Sequence, residues 1–343
     1  MNFKAFLDTY STTVHQLPIV VLYVTEGCNL QCITCSYREQ LPNELTLTEI
    51  SGLAKQLHSF GLRHIVYSGG EPLLRKDFKE ICSIFAVYNV KQTLLTNGLL
   101  LEKRYEEFSS FFHEIIVSID GADEETHNGI RGIKSFDQIL KGITSIVHKK
   151  QHPEISIRTV LQKRNYSQMP KMIEMAKSLS VNRISFLAAD VLSNSFGRDT
   201  RGAITANESI MLNEFEISDL RRMISAMSST FKSEFEEQFI SESVEKLYHI
   251  ADYFDALIGK KEFPKNICNA PDVSAVITST GEIQPCFFLP SYGNVKDTAF
   301  HTLVNNASVK EVRKNVRSYS LERCQTCVCT LKVNRTSLLF DRV

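Results

Sequence analysis

Two hydrophobic periods alternate along the first 190 or so residues. Six short runs, apolar and mostly β-branched, read as strands: Ile19–Thr25, Arg63–Ser68, Lys91–Thr96, Glu114–Ile119, Ile155–Leu161 and Arg183–Ala188. Between them the apolar positions take helical spacing. Thr46–Phe60 shows it best: Ile50, Leu53, Leu57 and Phe60 line one face, Thr46 or Thr48 can cap the start, and Gly61 stops it. Phe78–Tyr88, Leu99–Phe112, Phe136–His148 and Gln168–Ser178 read as helices in the same way. Residues 1–17 form a short mixed lead with room for one helix.

Strands alternating with helices predict an α/β chain of parallel β–α units. Right-handed crossovers curl such a sheet toward a barrel. Six units fall short of the eight that close one, so the expectation is an open, partial (β/α)6 barrel with a lateral mouth. In this architecture chemistry gathers on the loops after the strands. Four unusual sequences fall there: the cysteine-bearing stretch after Thr25, Gly69-Gly70-Glu71-Pro72, Thr96-Asn97-Gly98 and Asp120-Gly121. From Ser193 to Gly202 the chain turns polar, Glu208–Leu257 reads as helices without evident chemistry, and the character changes again at Pro264. The expected division is a barrel over 1–192, a helical bridge over 193–263 and a small C-terminal domain over 264–343.

Lys plus Arg equals Asp plus Glu at 39 each, so no basic surplus points to nucleic acid or an anionic membrane. The early apolar run Leu17–Val24 is far shorter than a membrane span. A cytoplasmic protein is expected. In a reducing compartment its nine cysteines point to metal or redox chemistry rather than disulfides. Cys82, alone in a helix, reads as a buried free thiol.

Cys28, Cys32 and Cys35 stand at C-x3-C-x2-C on the first rim loop. Three thiolates that close can hold three corners of a cubane iron–sulfur cluster and leave the fourth iron open; a zinc site completed elsewhere uses the same ligands. Gly69 and Gly70 remove side chains where a ligand amine must reach backbone carbonyls, and Pro72 fixes the exit. Ser118 and Asp120, two apart on a strand, point to one face. Arg158 and Asp190 are charged where the pattern predicts the barrel interior or its rim, as substrate-handling groups or as an ion pair. A second cysteine set follows: Cys268, Cys286, Cys324, Cys327 and Cys329, with a predicted hairpin over Thr278–Gln284 bringing Cys268 and Cys286 together. Taken bare, a zinc ribbon is a rival for this set too.

With C-x3-C-x2-C on the loop after a first strand, and Gly69-Gly70-Glu71-Pro72 after the second, the chain resembles the radical S-adenosylmethionine (SAM) superfamily. Thr34 stands where that family usually has an aromatic residue against adenine. Ser118-Ile119-Asp120-Gly121 followed by His127 and Arg131-Gly132 resembles the SPASM and twitch subgroups, and so does the C-terminal set, with five cysteines against the seven of a full SPASM module. The resemblance implies a [4Fe–4S] cluster on Cys28, Cys32 and Cys35 that binds SAM. It implies Gly69, Gly70, Glu71, Pro72, Asn97, Ser118, Asp120 and Arg131 as cosubstrate-binding positions. It further implies one auxiliary [4Fe–4S] cluster on Cys268, Cys286, Cys324 and Cys327, with Cys329 as a fifth candidate, and an electron donor such as flavodoxin or ferredoxin.

By this resemblance SAM is cleaved to a 5′-deoxyadenosyl radical that abstracts a substrate hydrogen. The layout is similar to the family's 2-deoxy-scyllo-inosamine dehydrogenases, so the expectation is two-electron oxidation of a small hydroxyl-rich molecule such as a sugar, cyclitol or nucleotide derivative. Arg158 and Asp190 are the catalytic candidates. Maturation of a ribosomal peptide is the alternative, disfavoured because about seventeen residues precede the first strand. A non-catalytic zinc-binding adaptor is a third. The molybdopterin-pathway cyclases are discounted because this chain ends Phe340-Asp341-Arg342-Val343 rather than in two glycines.

Overall fold

The computed structural model describes residue 8 and residues 11–198, 209–329 and 331–333. The expected lead helix and part of the polar stretch ending at Gly202 lie outside these. Six strands form in the predicted places: β1 Ile19–Thr25, β2 His64–Gly69, β3 Lys91–Thr96, β4 Glu114–Ser118, β5 Glu154–Leu161 and β6 Arg183–Ala188. Each pairs in parallel with the next. The crossover helices bury their apolar stripes on the sheet. In α1, Leu47–Ser59, Thr46 and Glu49 form a reciprocal capping box, and Ile50, Leu53, Ala54 and Leu57 are buried. Beneath β2, Tyr67 meets Phe78, Phe85 and Phe112 edge-on at 5.3–6.1 Å between ring centroids. Phe78 and Phe85 are fully buried, each contributing about 1.5–3 kcal/mol.

Two further strands, β7 Ser274–Ile277 and β8 Ile283–Gln284, form the predicted hairpin, pairing antiparallel. Their position was not legible in the sequence. β7 pairs in parallel with β1, with Ile19 opposite Ser274, so the strand order is β6-β5-β4-β3-β2-β1-β7-β8. The C-terminal segment therefore extends the barrel sheet, satisfying backbone groups that β1 would otherwise leave unpaired at an edge.

The middle segment closes the opposite edge. Helices Glu214–Thr230 and Val244–Leu257 flank the β6 side. Between them the Ile184 amide donates to the Phe239 carbonyl at 2.8 Å and the Ser241 amide to the Ile184 carbonyl at 2.9 Å. This brings Glu242 beside β6, where it accepts from the Phe186 amide at 2.7 Å. Among the described residues no helix is long and apolar enough to cross a membrane.

Candidate functional site

The first cysteine loop is held by three backbone bonds. The Cys28 amide donates to Arg38 O at 3.0 Å, the Gln31 amide to Arg131 O at 3.0 Å and the Ile33 amide to Ile130 O at 3.0 Å. The last two carbonyls end the helix Glu124–Arg131, which the sequence had shown only as a motif. Gly132 closes that helix with φ 80°, and a Cβ there would sit 2.3 Å from the Gln31 carbonyl oxygen. The Arg38 guanidinium also donates to the Cys32 and Cys35 carbonyls, at 3.2 and 2.9 Å.

The three thiols share one electrostatic environment. Burial pushes the Cys28 thiol up to about 11, and Glu71, Cys32 and Cys35 add to it. Burial likewise raises Cys35, with Cys32 beside it. Two donors aim at these sulfurs: Arg131 Nη1 at Cys32 Sγ, 3.8 Å, and Asn97 Nδ2 at Cys28 Sγ, 3.9 Å. Arg131 is ion-paired to Asp120 at 2.8 Å, and its Nε is buried without a hydrogen-bond partner. A cationic group with a spare donor beside three clustered thiols suits a site meant to hold thiolates and a negatively charged ligand.

The glycine motif is built for close backbone approach. The Gly70 amide donates to Thr25 O and the Glu71 amide to Gly27 O, both at 2.8 Å. Cβ atoms at Gly69 and Gly70 would lie 2.2 Å from those same two oxygens. Glu71, expected among the cosubstrate-binding positions, turns inward instead. It is fully buried, and its carboxylate accepts from the Leu73 amide at 3.0 Å, the Thr96 hydroxyl at 2.8 Å and the Asn97 amide at 2.8 Å. It joins the second and third rim loops. Pro72 begins a buried 3-10 turn behind it. Asn97 reaches the cysteine loop through Asn29 at 2.8 Å. Asp120 is committed as well, to the Val160 amide at 2.8 Å and to Arg131. His127 is fully buried, facing the Asp120 amide and the Ser135 hydroxyl. Thus the four rim loops converge, and Glu71, Asn97 and Asp120 brace them to one another or to a neighbouring strand. With Thr34 before the third cysteine, the nearby ring comes from Tyr37, which packs edge-on against Tyr23 at 6.0 Å.

The C-terminal cysteines gather at the other end of the same wall. Burial pushes Cys286 up to about 12, with Cys268 and Cys324 adding to it. Burial also pushes Cys327 up to about 12, with Cys329 and Cys286 beside it. Cys286 thus neighbours all three of the other implied ligands, and the Cys327 thiol donates to the Cys329 carbonyl at 2.9 Å. Among the described residues no group of three or more His, Cys, Asp or Glu side chains draws in to a single-ion site. A cubane instead spreads its thiolates over separate irons.

Asp190, one of the two catalytic candidates, is a clasp. Burial would raise its carboxyl, but the Ser193 hydroxyl, Arg323 and Arg198 outweigh it and hold it below the usual range. Arg323 Nη2 donates to it at 2.6 Å, and Arg198 and Ser193 bind its other oxygen. Arg323 immediately precedes Cys324, so the clasp ties the loop after β6 to the second cysteine set. Arg158, the other candidate, lines a cavity of about 560 Å³. Ile19, Val66, Leu95 and Leu187 of the barrel interior face it from one side, and Cys268, Cys286, Cys324, Cys327 and Cys329 from the other. Glu242 lines it too. The sequence offered no signal for Glu242: it lies in the helical segment where no chemistry was visible, and only its pairing beside β6 brings it here.

The chain matches the radical SAM superfamily over residues 22–176 and the SPASM iron–sulfur cluster-binding domain over residues 268–328. It is similar to the AdoMet-dependent heme synthase of Methanosarcina barkeri, 27% identical over 301 residues, which cover 85% of this chain and 83% of that protein. It is also similar to a probable GTP 3′,8-cyclase of Saccharolobus islandicus, 29% identical over 190 residues, 53% of this chain and 59% of the cyclase. The fold is similar to that of Streptococcus suis SuiB bound to S-adenosylmethionine, with TM-score 0.65 and 16% identity over 96% of this chain and 76% of that one. It is likewise similar to anSMEcpe with bound AdoMet, with TM-score 0.64 and 19% identity over 95% and 96% of the two chains. The first matched domain implies a [4Fe–4S] cluster and SAM, and the second implies auxiliary iron–sulfur. With both matched in order along one chain, the protein carries a radical SAM domain followed by a SPASM-type iron–sulfur cluster-binding domain.

Proposed function

We propose that the chain is a radical SAM oxidase of a substrate bound in the barrel interior against its C-terminal cysteine set. The observation that carries this reading is one cavity, lined on one side by the barrel interior and on the other by all five C-terminal cysteines. Bound SAM and iron–sulfur clusters would supply one-electron cleavage of a carbon–sulfur bond and an acceptor for the second electron withdrawn from substrate. The chain's own residues do the rest. Cys28, Cys32 and Cys35 would hold the SAM-binding cluster, and Cys268, Cys286, Cys324 and Cys327 the auxiliary one. Arg131 and Ser118 would face the carboxylate of SAM. Barrel side chains would orient the substrate and exclude water. The electron balance is two removed from substrate, one leaving with the abstracted hydrogen atom and one passing to the acceptor, with a proton released; a flavodoxin or ferredoxin reloads the first cluster.

The lining tilts the choice of substrate. Aliphatic and aromatic side chains dominate it, a poor match for the sugar or cyclitol expected from the sequence, whose many hydroxyls would be left unpaired. Relatives named as a heme synthase and a peptide-bound SuiB widen the range to larger molecules that insert one arm.

Anaerobic reconstitution with iron and sulfide, then incubation with SAM and a strong reductant, tests the reading. 5′-Deoxyadenosine is expected from the native chain and none from Cys32→Ala. Cys286→Ala should keep part of the cleavage while losing the iron of the second cluster. A native preparation that forms no 5′-deoxyadenosine, or a Cys286 variant with undiminished iron, overturns it.

A further inference from the structure

We propose that Arg158 is an anchor for a single carboxylate on an otherwise apolar substrate. This rests on the reading of the cavity as the substrate site and deepens it. Arg158 sits at the centre of β5, opposite Ser118 on β4 and Ser185 on β6. Its Nε donates to the Ser185 hydroxyl at 3.2 Å. Among the described residues it has no carboxylate at ion-pair distance, and none of its nitrogens is a buried orphan, so the fork opens to the cavity.

Among the described residues, the other charged or titratable groups lining the cavity, apart from the thiols, Tyr319 and part of the Arg323 guanidinium, are accounted for. Arg323 gives its Nη2 to Asp190 at 2.6 Å, and its Nε and Nη1 are buried without a hydrogen-bond partner rather than open to the chamber. Glu114 accepts from the Ser156 hydroxyl at 2.6 Å. His64 faces the Thr93 hydroxyl at 2.8 Å, and burial, with Lys91 and His113, lowers its imidazole to about 4, which leaves it neutral. Among the described residues no lysine lines the cavity. Arg158 is thus an available cation in a largely aliphatic chamber, where a planar guanidinium matches a carboxylate with two parallel hydrogen bonds.

Glu242 sets the charge the site accepts. It lines the same cavity, and Arg158 acts on it electrostatically without forming a close pair. The single positive charge of the guanidinium is neutralised by one substrate carboxylate, and Glu242, to the extent that it is ionised, opposes any second negative charge. A phosphate dianion would meet net repulsion. The substrate class is therefore a monocarboxylic acid, free or on the arm of a larger molecule, with a hydrocarbon portion against Val66, Leu95 and Leu187.

The probes are 3-phenylpropanoate, 3-phenylpropanol and 3-phenylpropyl phosphate, with affinities for the reconstituted full chain measured by calorimetry in the presence of SAM. The carboxylate is expected to bind about ten- to a hundredfold more tightly than the alcohol, the worth of a charge-assisted pair, and more tightly than the phosphate. Arg158→Gln should erase the preference and Arg158→Lys keep part of it. Glu242→Gln should strengthen binding of both anions and narrow the gap between them, an outcome misfolding would not produce. Failure of the carboxylate to bind, equal binding of alcohol and carboxylate, or an unchanged preference in Arg158→Gln overturns the anchor. Continued SAM cleavage in the same preparation would then leave the broader reading standing, whereas loss of cleavage in the native chain strikes that reading alone.

Discussion

Tyr23 on β1 stacks on Phe287, the residue after Cys286, with ring centroids 6.2 Å apart and planes 24° from parallel. Tyr37, two residues beyond Cys35, meets Tyr23 edge-on at 6.0 Å. The buried Tyr23 ring therefore sits between the two cysteine sets, and Cys35 and Cys286 both act on its hydroxyl. Three rings form a continuous wall from one candidate cluster site to the other.

Removing the middle ring should loosen both ends. Tyr23→Ala is expected to cost about 3–5 kcal/mol, as for other large buried aromatics, and to lower iron content at both sites. Tyr23→Phe should change either quantity little. Denaturant unfolding and iron assay of anaerobically purified protein read the two effects.

Gly70→Ala should displace the first cysteine loop. The added methyl would meet Gly27 O at 2.2 Å, and this neighbour is backbone that cannot swing aside. The expected result is loss of iron at the first site with the second retained and the far-ultraviolet circular dichroism unchanged. Gly52→Ala, where nothing lies within 4 Å of the new methyl, is the control.

Breaking the Asp190–Arg323 clasp should free the segment carrying Cys324. Asp190→Asn leaves two guanidinium groups without a carboxylate partner, and losing one member of a buried pair costs about 3–5 kcal/mol. Iron at the second site should fall and 5′-deoxyadenosine formation should persist. An Asp190 variant that keeps both clusters and its thermal midpoint would show the clasp to be incidental.

Glu242 gives a pH dependence whose sign is set by its environment. Burial raises its carboxyl from 4.5 to about 7 in the folded chain, despite a bond from the Phe186 amide and the charge of Arg158. Between those values the folded state holds the proton more tightly than the unfolded one. This contribution to stability is present in full below pH 4.5 and is lost as pH rises through about 7. Glu242→Gln should remove that slope, a difference of at most about 3 kcal/mol at 1.36 kcal/mol per unit, read as unfolding midpoints of both proteins at pH 5.5 and 8.

Much of the barrel could be read from the chain because its determinants are local. Period-2 runs at Ile19–Thr25 and Arg183–Ala188, helical spacing at Ile50, Leu53 and Leu57, and the glycines at 69 and 70 act within a few residues. The same holds for the grouping of Cys28, Cys32 and Cys35 on one loop and for the hairpin before Cys286. Pattern, however, says only which face of an element is buried, not which element will cover it. Glu71 was legible as part of a glycine motif, but its role in bracing two loops was not, because its partners Thr96 and Asn97 lie a β–α unit away.

What the sequence alone determined is the order of β–α units, the two cysteine groups and, through both, the resemblance to a radical SAM domain followed by a SPASM-type one. What tertiary structure decided is everything that depends on meeting across the chain: β7 against β1, Phe287 against Tyr23, Arg323 on Asp190, and Glu242 facing Arg158. The reason is physical. Hydrogen bonds within a turn or helix are dictated by spacing along the backbone, whereas contacts between distant segments are selected by how whole surfaces pack and which charges are left facing one another when water is excluded.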